Sequence, residues 1–228
     1  MSAYINWKNW NKDEFGSIKT KKYYFRALLK KFCLDESANI LEIGFGNGEF
    51  LSFIKELNIP IIGVEKEKRL VEIAKKKRFF SVFDNIDLIN SKFDTIVLFD
   101  VLEHIPQQEL LIFLRKLASL LNNFGQIIIR VPNGSSPFGL NNQHGDPTHQ
   151  TIFTESKLAF FSSQANLYVK YSCGDLYPIF NGSIAKIPSR ALKKILREII
   201  ERIIRFIFSP LSKGVLSANA IYVLKKDI

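Results

Sequence analysis

The stretch ILEIGFGNGEF, residues 40–50, restricts the folds open to this chain more than any other. Its first half is apolar and β-prone, its middle carries Gly44, Gly46 and Gly48, and Glu49 can start a helix. The pattern therefore predicts a strand, a tight turn and a helix in succession. Glycines at alternate positions permit positive φ and remove the Cβ atoms that would hold a ligand away from the main chain, while a helix N-terminus offers unpaired N–H groups. A nucleotide-like ligand suits such a turn. The dinucleotide fingerprint G-x-G-x-x-G would place a third glycine where Glu49 stands, and a carboxylate there suits a pyrophosphate badly.

A second informative stretch is FDTIVLFDVLEHIP, residues 93–106. Asp94 begins a nearly continuous apolar strand, and Asp100 falls at its carboxyl end, where open α/β sheets keep their ligands. Between these stretches, Pro60 opens IIGVE, a buried parallel strand ending at Glu65. Glu65 lies about twenty residues past the glycines, the place where nucleotide-binding α/β folds put an acid for the ribose hydroxyls. An ordinary surface Glu beside Lys66 and Lys68 is the plain alternative.

These residues resemble the class I S-adenosylmethionine-dependent methyltransferases. E-x-G-x-G-x-G from Glu42 is similar to their motif I, and Asp100-Val101-Leu102-Glu103-His104 resembles motif IV of the small-molecule type. The resemblance implies S-adenosyl-L-methionine as cofactor. It places the methionine part at Glu42, Gly44, Phe45, Gly46 and Gly48 and the ribose at Glu65 and Lys66. The adenine falls to Asp84, Asn85 and Ile86, and Asp100 and Val101 close the site. The Asn/Asp-Pro-Pro-aromatic tetrad of amino-group methylases is missing at Asp100, which counts against nucleic-acid bases as substrates.

The remaining periodicities supply the other layers of such a fold. Helices are expected over residues 17–32 with Ser17 as cap, 49–57, 67–77, 107–121 and 154–165, and strands over 79–83, 126–131, 167–176 and 216–224. Alternating strands and helices predict an α/β, doubly wound, seven-stranded and mostly parallel sheet. The resemblance implies a last strand inserted antiparallel between the fifth and sixth. The expected organisation is an N-terminal helical flank over 1–34, a cofactor-binding core over 35–176, a helical insertion over 177–214, and the final strand over 215–228. Trp7 and Trp10 read as anchors of the flank on the domain or as part of a lid.

Residues 132–153 read as a long loop, and unstructured loops of that length are usually functional or disordered. The run H-G-D-P-T-H within it resembles a subset of methyltransferases, many of which act on sugars during surface-polysaccharide assembly. The implied activity is O-methylation of a sugar hydroxyl on a surface glycan or its nucleotide- or lipid-linked precursor. A lipid or quinone methyltransferase, an RNA-binding methylase and a catalytically silent cofactor-binding module are the rivals. A hydroxyl needs help in losing its proton, and histidine is suited to that near neutral pH. His149 is the first candidate base, with Asp146 holding its ring, and His104 the next. No metal is expected, since no further acid is evident to complete a shell around the two histidines.

Charge is distributed unevenly. The formal net charge is +10, yet residues 35–188 carry fifteen Lys/Arg against seventeen Asp/Glu, so the basic excess lies in the flanks. Residues 189–208 predict an amphipathic helix, with Leu192, Ile195, Ile199 and Ile203 on one side and Lys193, Lys194, Arg197 and Arg202 on the other. Its apolar side is expected on the domain, in a homodimer, or on an anionic membrane. No nucleic-acid partner is expected, because no RNA-binding motif accompanies the basic flanks. Two cysteines and a polar opening segment predict a cytoplasmic protein, peripheral to the inner face of a membrane if the helix binds lipid.

Overall fold

In the computed structural model, the described residues are 8, 10, 14–18, 21–34, 37–79, 81–208 and 215–227. Seven strands form one sheet in the order β3-β2-β1-β4-β5-β7-β6. They are β1 (Ile40–Ile43), β2 (Ile61–Val64), β3 (Val82–Phe83), β4 (Phe93–Phe99), β5 (Leu121–Pro132), β6 (Leu167–Gly174) and β7 (Asn219–Lys226). The helices among the described residues are α1 (Lys22–Lys31), α2 (Glu49–Glu56), α3 (Lys68–Lys76), α4 (Leu110–Leu120), α5 (Leu140–His144), α6 (Glu155–Ser163) and α7 (Ile187–Phe208).

The first five strands pair parallel, and β7 runs antiparallel to both β5 and β6. This is the mostly parallel, doubly wound sheet that the sequence predicts, with the last strand inserted as the resemblance implied. Alternate residues of the central strands face opposite layers. Ile40, Val97 and Ile128 pack with Phe25 and Leu28 of α1 and Phe50 and Phe53 of α2. Leu41, Ile96 and Ile127 pack with Leu114 and Leu117 of α4 and Leu158 of α6 on the other side. The order of strands reverses between β1 and β4, so the loops after them part and leave a crevice at the carboxyl edge.

Several boundaries differ from expectation for local reasons. Helix α1 starts after Lys21 without a side-chain cap, because Ser17 is held in a turn in which its N–H donates to the Glu14 carbonyl at 2.9 Å. Strand β5 starts at Leu121, five residues early. Leu121 pairs with Phe93, a register shift absorbs the Asn-rich run, and Asn122 Nδ2 donates to Asp94 Oδ1 at 2.6 Å. The stretch after β5 is folded in part: Ser136 Oγ accepts from the Phe138 N–H, capping a 3-10 turn at Pro137–Gly139 that runs into α5. Thr154 caps α6 as predicted, its hydroxyl accepting from the Lys157 N–H.

Helix α7 has no buried residue. Leu192, Ile195, Ile199 and Ile203 are each about half exposed, so among the described residues the domain does not cover the apolar stripe. Arg190 and Arg197 tie the helix to the preceding segment instead, Arg190 Nη1 donating to the Ile179 carbonyl and the Arg197 guanidinium lying 3.9 Å from the centre of the Tyr177 ring. No helix among the described residues is long and apolar enough to cross a membrane.

Candidate active site

A cavity of about 1300 Å³ opens at the carboxyl edge, and Glu42, Gly44, Phe45, Gly46, Glu65, Lys66, Asp84, Asn85, Ile86, Asp100, Val101 and His104 all line it. Such a volume exceeds what a single small ligand needs, which leaves room for a cofactor and an acceptor together. Gly48 is the predicted contact that does not reach the wall. It has φ 70° and lies under Phe15, whose Cζ a Cβ there would meet at 2.5 Å. Its role is to let the chain turn into α2.

The glycine turn and the end of β2 are tied together. Gly46 N–H donates to Glu65 Oε2 at 3.0 Å, and Glu67 N–H donates to Glu65 Oε1 at 3.0 Å. Two backbone donors thus fix the Glu65 carboxylate at the crevice, and each oxygen keeps a lone pair for a further donor. Trp10 reaches across from the N-terminal flank, so that a Cβ on Gly46 would sit 2.9 Å from its Cη2. The flank is therefore both an anchor and part of the wall, as Lys8 also lines the cavity. Trp7 lies outside the described residues.

Glu42, at the end of β1, is only 3 % exposed, and its Oε2 has no hydrogen-bond partner. Burial pushes its carboxyl well above the usual range, and the nearby Glu65 adds to this. An unsatisfied acid aimed into a crevice calls for a cationic ligand. The sulfonium and amino group of S-adenosylmethionine supply that charge, and its ribose hydroxyls match the Glu65 carboxylate. The residues present fit this group.

Asp100 has φ 58°, and Arg130 of β5 claims its carboxylate from two sides, Nε donating to Oδ1 at 3.1 Å and Nη2 to Oδ2. Arg130 Nη1 also donates to the Tyr24 hydroxyl at 3.2 Å, which donates to Asp175 Oδ1 at 2.8 Å. Asp100 accordingly lines the cavity as half of an ion pair rather than as a lone acceptor. Asp84 is loosely held, 4.0 Å from Lys68 Nζ, while Asn85 uses its Oδ1 to cap the turn at Ile86–Leu88.

Of the three residues expected to act on the acceptor, His104 lines the cavity, and His149 and Asp146 are not among its lining residues. The His149 side chain is 7 % exposed, and its Nε2 lies 3.6 Å from Asp146 Oδ2, too far for a hydrogen bond. Asp146 is engaged elsewhere: Thr148 N–H and Oγ1–H donate to Oδ1 at 2.9 and 2.6 Å, and Lys8 Nζ to Oδ2 at 3.0 Å. Burial pushes the Asp146 carboxyl up, but these donors from Thr148 and Lys8 outweigh it and hold the group at about 2.

Thr148, which the sequence reading passed over, connects Asp146 to His104. Its hydroxyl proton goes to Asp146, so its oxygen accepts from His104 Nδ1–H at 3.0 Å, and the Thr148 carbonyl, 3.3 Å from the same nitrogen, can only accept. The proton is thereby assigned to Nδ1 and the ring lone pair to Nε2. Burial, and then His149, whose ring centre is 4.7 Å away, lower the His104 pKa, so the ring is neutral near pH 7. The whole arrangement depends on Gln150 and Thr151 donating their N–H groups to the Glu103 carbonyl, which staples the loop after β5 onto the turn after β4.

A family model described as a methyltransferase domain matches residues 18–172. The chain belongs to that family. No curated protein matches the methyltransferase significantly. Among solved structures, an S-adenosylmethionine-dependent methyltransferase from Archaeoglobus fulgidus is similar with TM-score 0.64 and 21% identity, over 99% of this chain and 100% of that one. A possible histamine N-methyltransferase from Thermotoga maritima gives 0.59 at 16% identity, over 99% and 96%. An O-methyltransferase of a Brevibacillus brevis multienzyme, in complex with S-adenosyl-L-homocysteine, gives 0.54 at 16% identity, over 92% and 72%. Likeness at such identities is likeness of fold, and the fold is the Rossmann-like class I methyltransferase fold. This methyltransferase is an enzyme whose cofactor is S-adenosyl-L-methionine.

Proposed function

We propose that this methyltransferase methylates an oxygen acceptor, a sugar hydroxyl of a surface glycan or of its lipid-linked precursor. The observation that carries the reading is the His104 imidazole on the cavity wall, oriented through Thr148 and Asp146 and neutral near pH 7. A hydroxyl must lose its proton as it is alkylated, whereas an amine attacks with a lone pair already available, so a neutral imidazole on the wall favours an oxygen acceptor. When bound, the cofactor supplies a methyl on a positively charged sulfur. That methyl would pass to the acceptor oxygen, the sulfur keeping the electron pair of the C–S bond, and His104 would take up the hydroxyl proton. Glu42 and Glu65 would hold the donor, and Phe45 and Val101, which line the cavity, would exclude water.

Replacing His104 with Ala is expected to lower turnover by about a hundredfold or more, while affinity for S-adenosylhomocysteine stays nearly unchanged. Calorimetry and a labelled-methyl assay on the same samples would check this, and equal losses in binding and turnover would count against an activating role. The broader test is mass spectrometry of the glycans of the source organism with and without this protein. An unaltered set of methylated sugars would refute the assigned acceptor.

The bare apolar stripe of α7 with its basic neighbours supports a lipid-linked acceptor at an anionic membrane surface over a freely diffusing one. Vesicles containing acidic lipid are expected to carry the protein upward on flotation at low salt, and neutral vesicles much less. If flotation fails while the protein sediments as a dimer, the stripe is a subunit interface instead.

A further inference from the structure

Glu103 is 0 % exposed, and neither of its carboxylate oxygens has a hydrogen-bond partner among the described residues. Nothing in methyl-donor binding uses it, since it does not line the cavity. A buried acid of this kind costs several kcal/mol unless a proton or another cation offsets it.

Two imidazoles, those of His104 and His149, lie beside Glu103. His149 Nδ1 is 3.0 Å from the Gln143 carbonyl, which can only accept, so the proton is on Nδ1 and the lone pair on Nε2. That Nε2 lies 3.9 Å from Glu103 Oε1. His104 is arranged likewise, its Nδ1 donating to Thr148. In both rings Nδ1 is pinned by a carbonyl, which is the outer-shell arrangement typical of metal-ligating histidines. One donor atom from each of Glu103, His104 and His149 lies within 4.8 Å of the others.

We propose that Glu103, His104 and His149 form a site for one divalent first-row transition-metal ion at the acceptor edge of the cavity. Two imidazoles and one carboxylate suit zinc, cobalt, manganese or iron better than magnesium or calcium, which prefer all-oxygen shells. Ligand bonds near 2.1 Å require the three donors to close by about one ångström from their present spacing. Three protein ligands leave a position open, the arrangement of catalytic rather than structural sites. Asp146 stays outside the shell, paired with Lys8 and orienting His104 through Thr148. The acid that the sequence reading lacked for a metal site is Glu103, which is adjacent to His104 in sequence and comes to face His149 only through the fold.

The inference rests on the O-methylation reading in one respect: His104 acts on the acceptor through the ion, whose open position takes the acceptor oxygen and acidifies its hydroxyl, the proton passing to solvent water. Site occupancy itself is independent of the acceptor. The test is titration of the chelator-stripped full chain with Co²⁺, followed by visible absorption and calorimetry, with S-adenosylhomocysteine affinity measured on each sample. One equivalent is expected to bind, and Glu103→Gln and His149→Ala are each expected to weaken it by at least about tenfold while the nucleoside still binds. Cys33→Ser and Cys173→Ser are expected to leave it unchanged, which separates the site from the two free thiols. A protein that binds the nucleoside but takes up no Co²⁺, or takes it up equally well in both site variants, overturns the metal site and leaves the methyltransferase reading intact. Uptake of Co²⁺ without nucleoside binding would support the site and strike the cofactor assignment instead. A variant that loses the nucleoside as well is replaced by its partner variant, and wild-type uptake alone already decides against an empty site.

Discussion

Gly46→Arg is expected to reduce affinity for S-adenosylhomocysteine by at least about a hundredfold, roughly 2.8 kcal/mol. Three effects act together. Gly46 has φ 51°, a conformation that costs any residue with a Cβ about 1–2 kcal/mol. The first side-chain atom would meet Trp10 Cη2 at 2.9 Å, so either the tryptophan or the turn must move. The same residue donates its N–H to Glu65 Oε2, so a shifted turn also releases an acid on the cavity wall. Gly46→Ala brings the strain and the contact without the bulk or charge and should fall between the two proteins. Glu65→Ala should weaken binding as well. Calorimetry on purified variants that retain wild-type thermal transitions is the measurement, and an affinity for Gly46→Arg within tenfold of wild type would mean that the nucleoside lies elsewhere.

The gathering of Glu42, Gly44, Gly46 and Glu65 at one crevice was readable in the sequence because short-range signals mark it. Glu42, the glycines and Glu65 lie at the ends of β1 and β2, and their spacing alone brings them to one edge of a parallel sheet. Asp100 was equally legible as a residue at the end of β4. Its pairing was not, since Arg130 is thirty residues away on the neighbouring strand and nothing local marks it. The acceptor half was harder for the same reason. The sequence puts His149 before His104 as a base, whereas the fold, in which Gln150 and Thr151 donate their N–H groups to the Glu103 carbonyl, puts His104 on the cavity wall and His149 Nε2 3.9 Å from a buried acid. Glu103 itself sat inside a quoted motif, but a periodicity argument cannot tell a buried glutamate from an exposed one in a single 3-10 turn. Helix α7 shows the converse limit: its amphipathic pattern was plain, whereas the absence of a cover among the described residues is a property of packing.

Glu42→Gln separates the charge of the buried acid from its size. Removing it should weaken S-adenosylmethionine binding by about ten- to a hundredfold, the worth of one hydrogen bond to a charged group at 1.5–3 kcal/mol. The dependence on pH gives a sharper signature. Burial and Glu65 raise the Glu42 pKa, so in the free protein the group keeps its proton at a pH where an exposed glutamate has lost it. A cationic ligand favours the ionised form, so binding expels that proton. Affinity should therefore rise with pH while Glu42 titrates and level off above its raised pKa, provided the measurements stay below the titration of the ligand's amino group near pH 8. Glu65, whose pKa burial also raises, adds to the slope and is the part that Glu42→Gln retains. In the opposite direction, at a pH above the raised pKa the variant no longer buries an ionised, unpartnered carboxylate, so its ligand-free melting temperature there should equal or exceed that of the wild type. A protein that gains stability as it loses its ligand is one in which the strain of an unsatisfied acid is kept for function. Lower stability, or binding with an unaltered pH slope, would place the cation away from Glu42 and require another explanation for a buried acid at the end of β1.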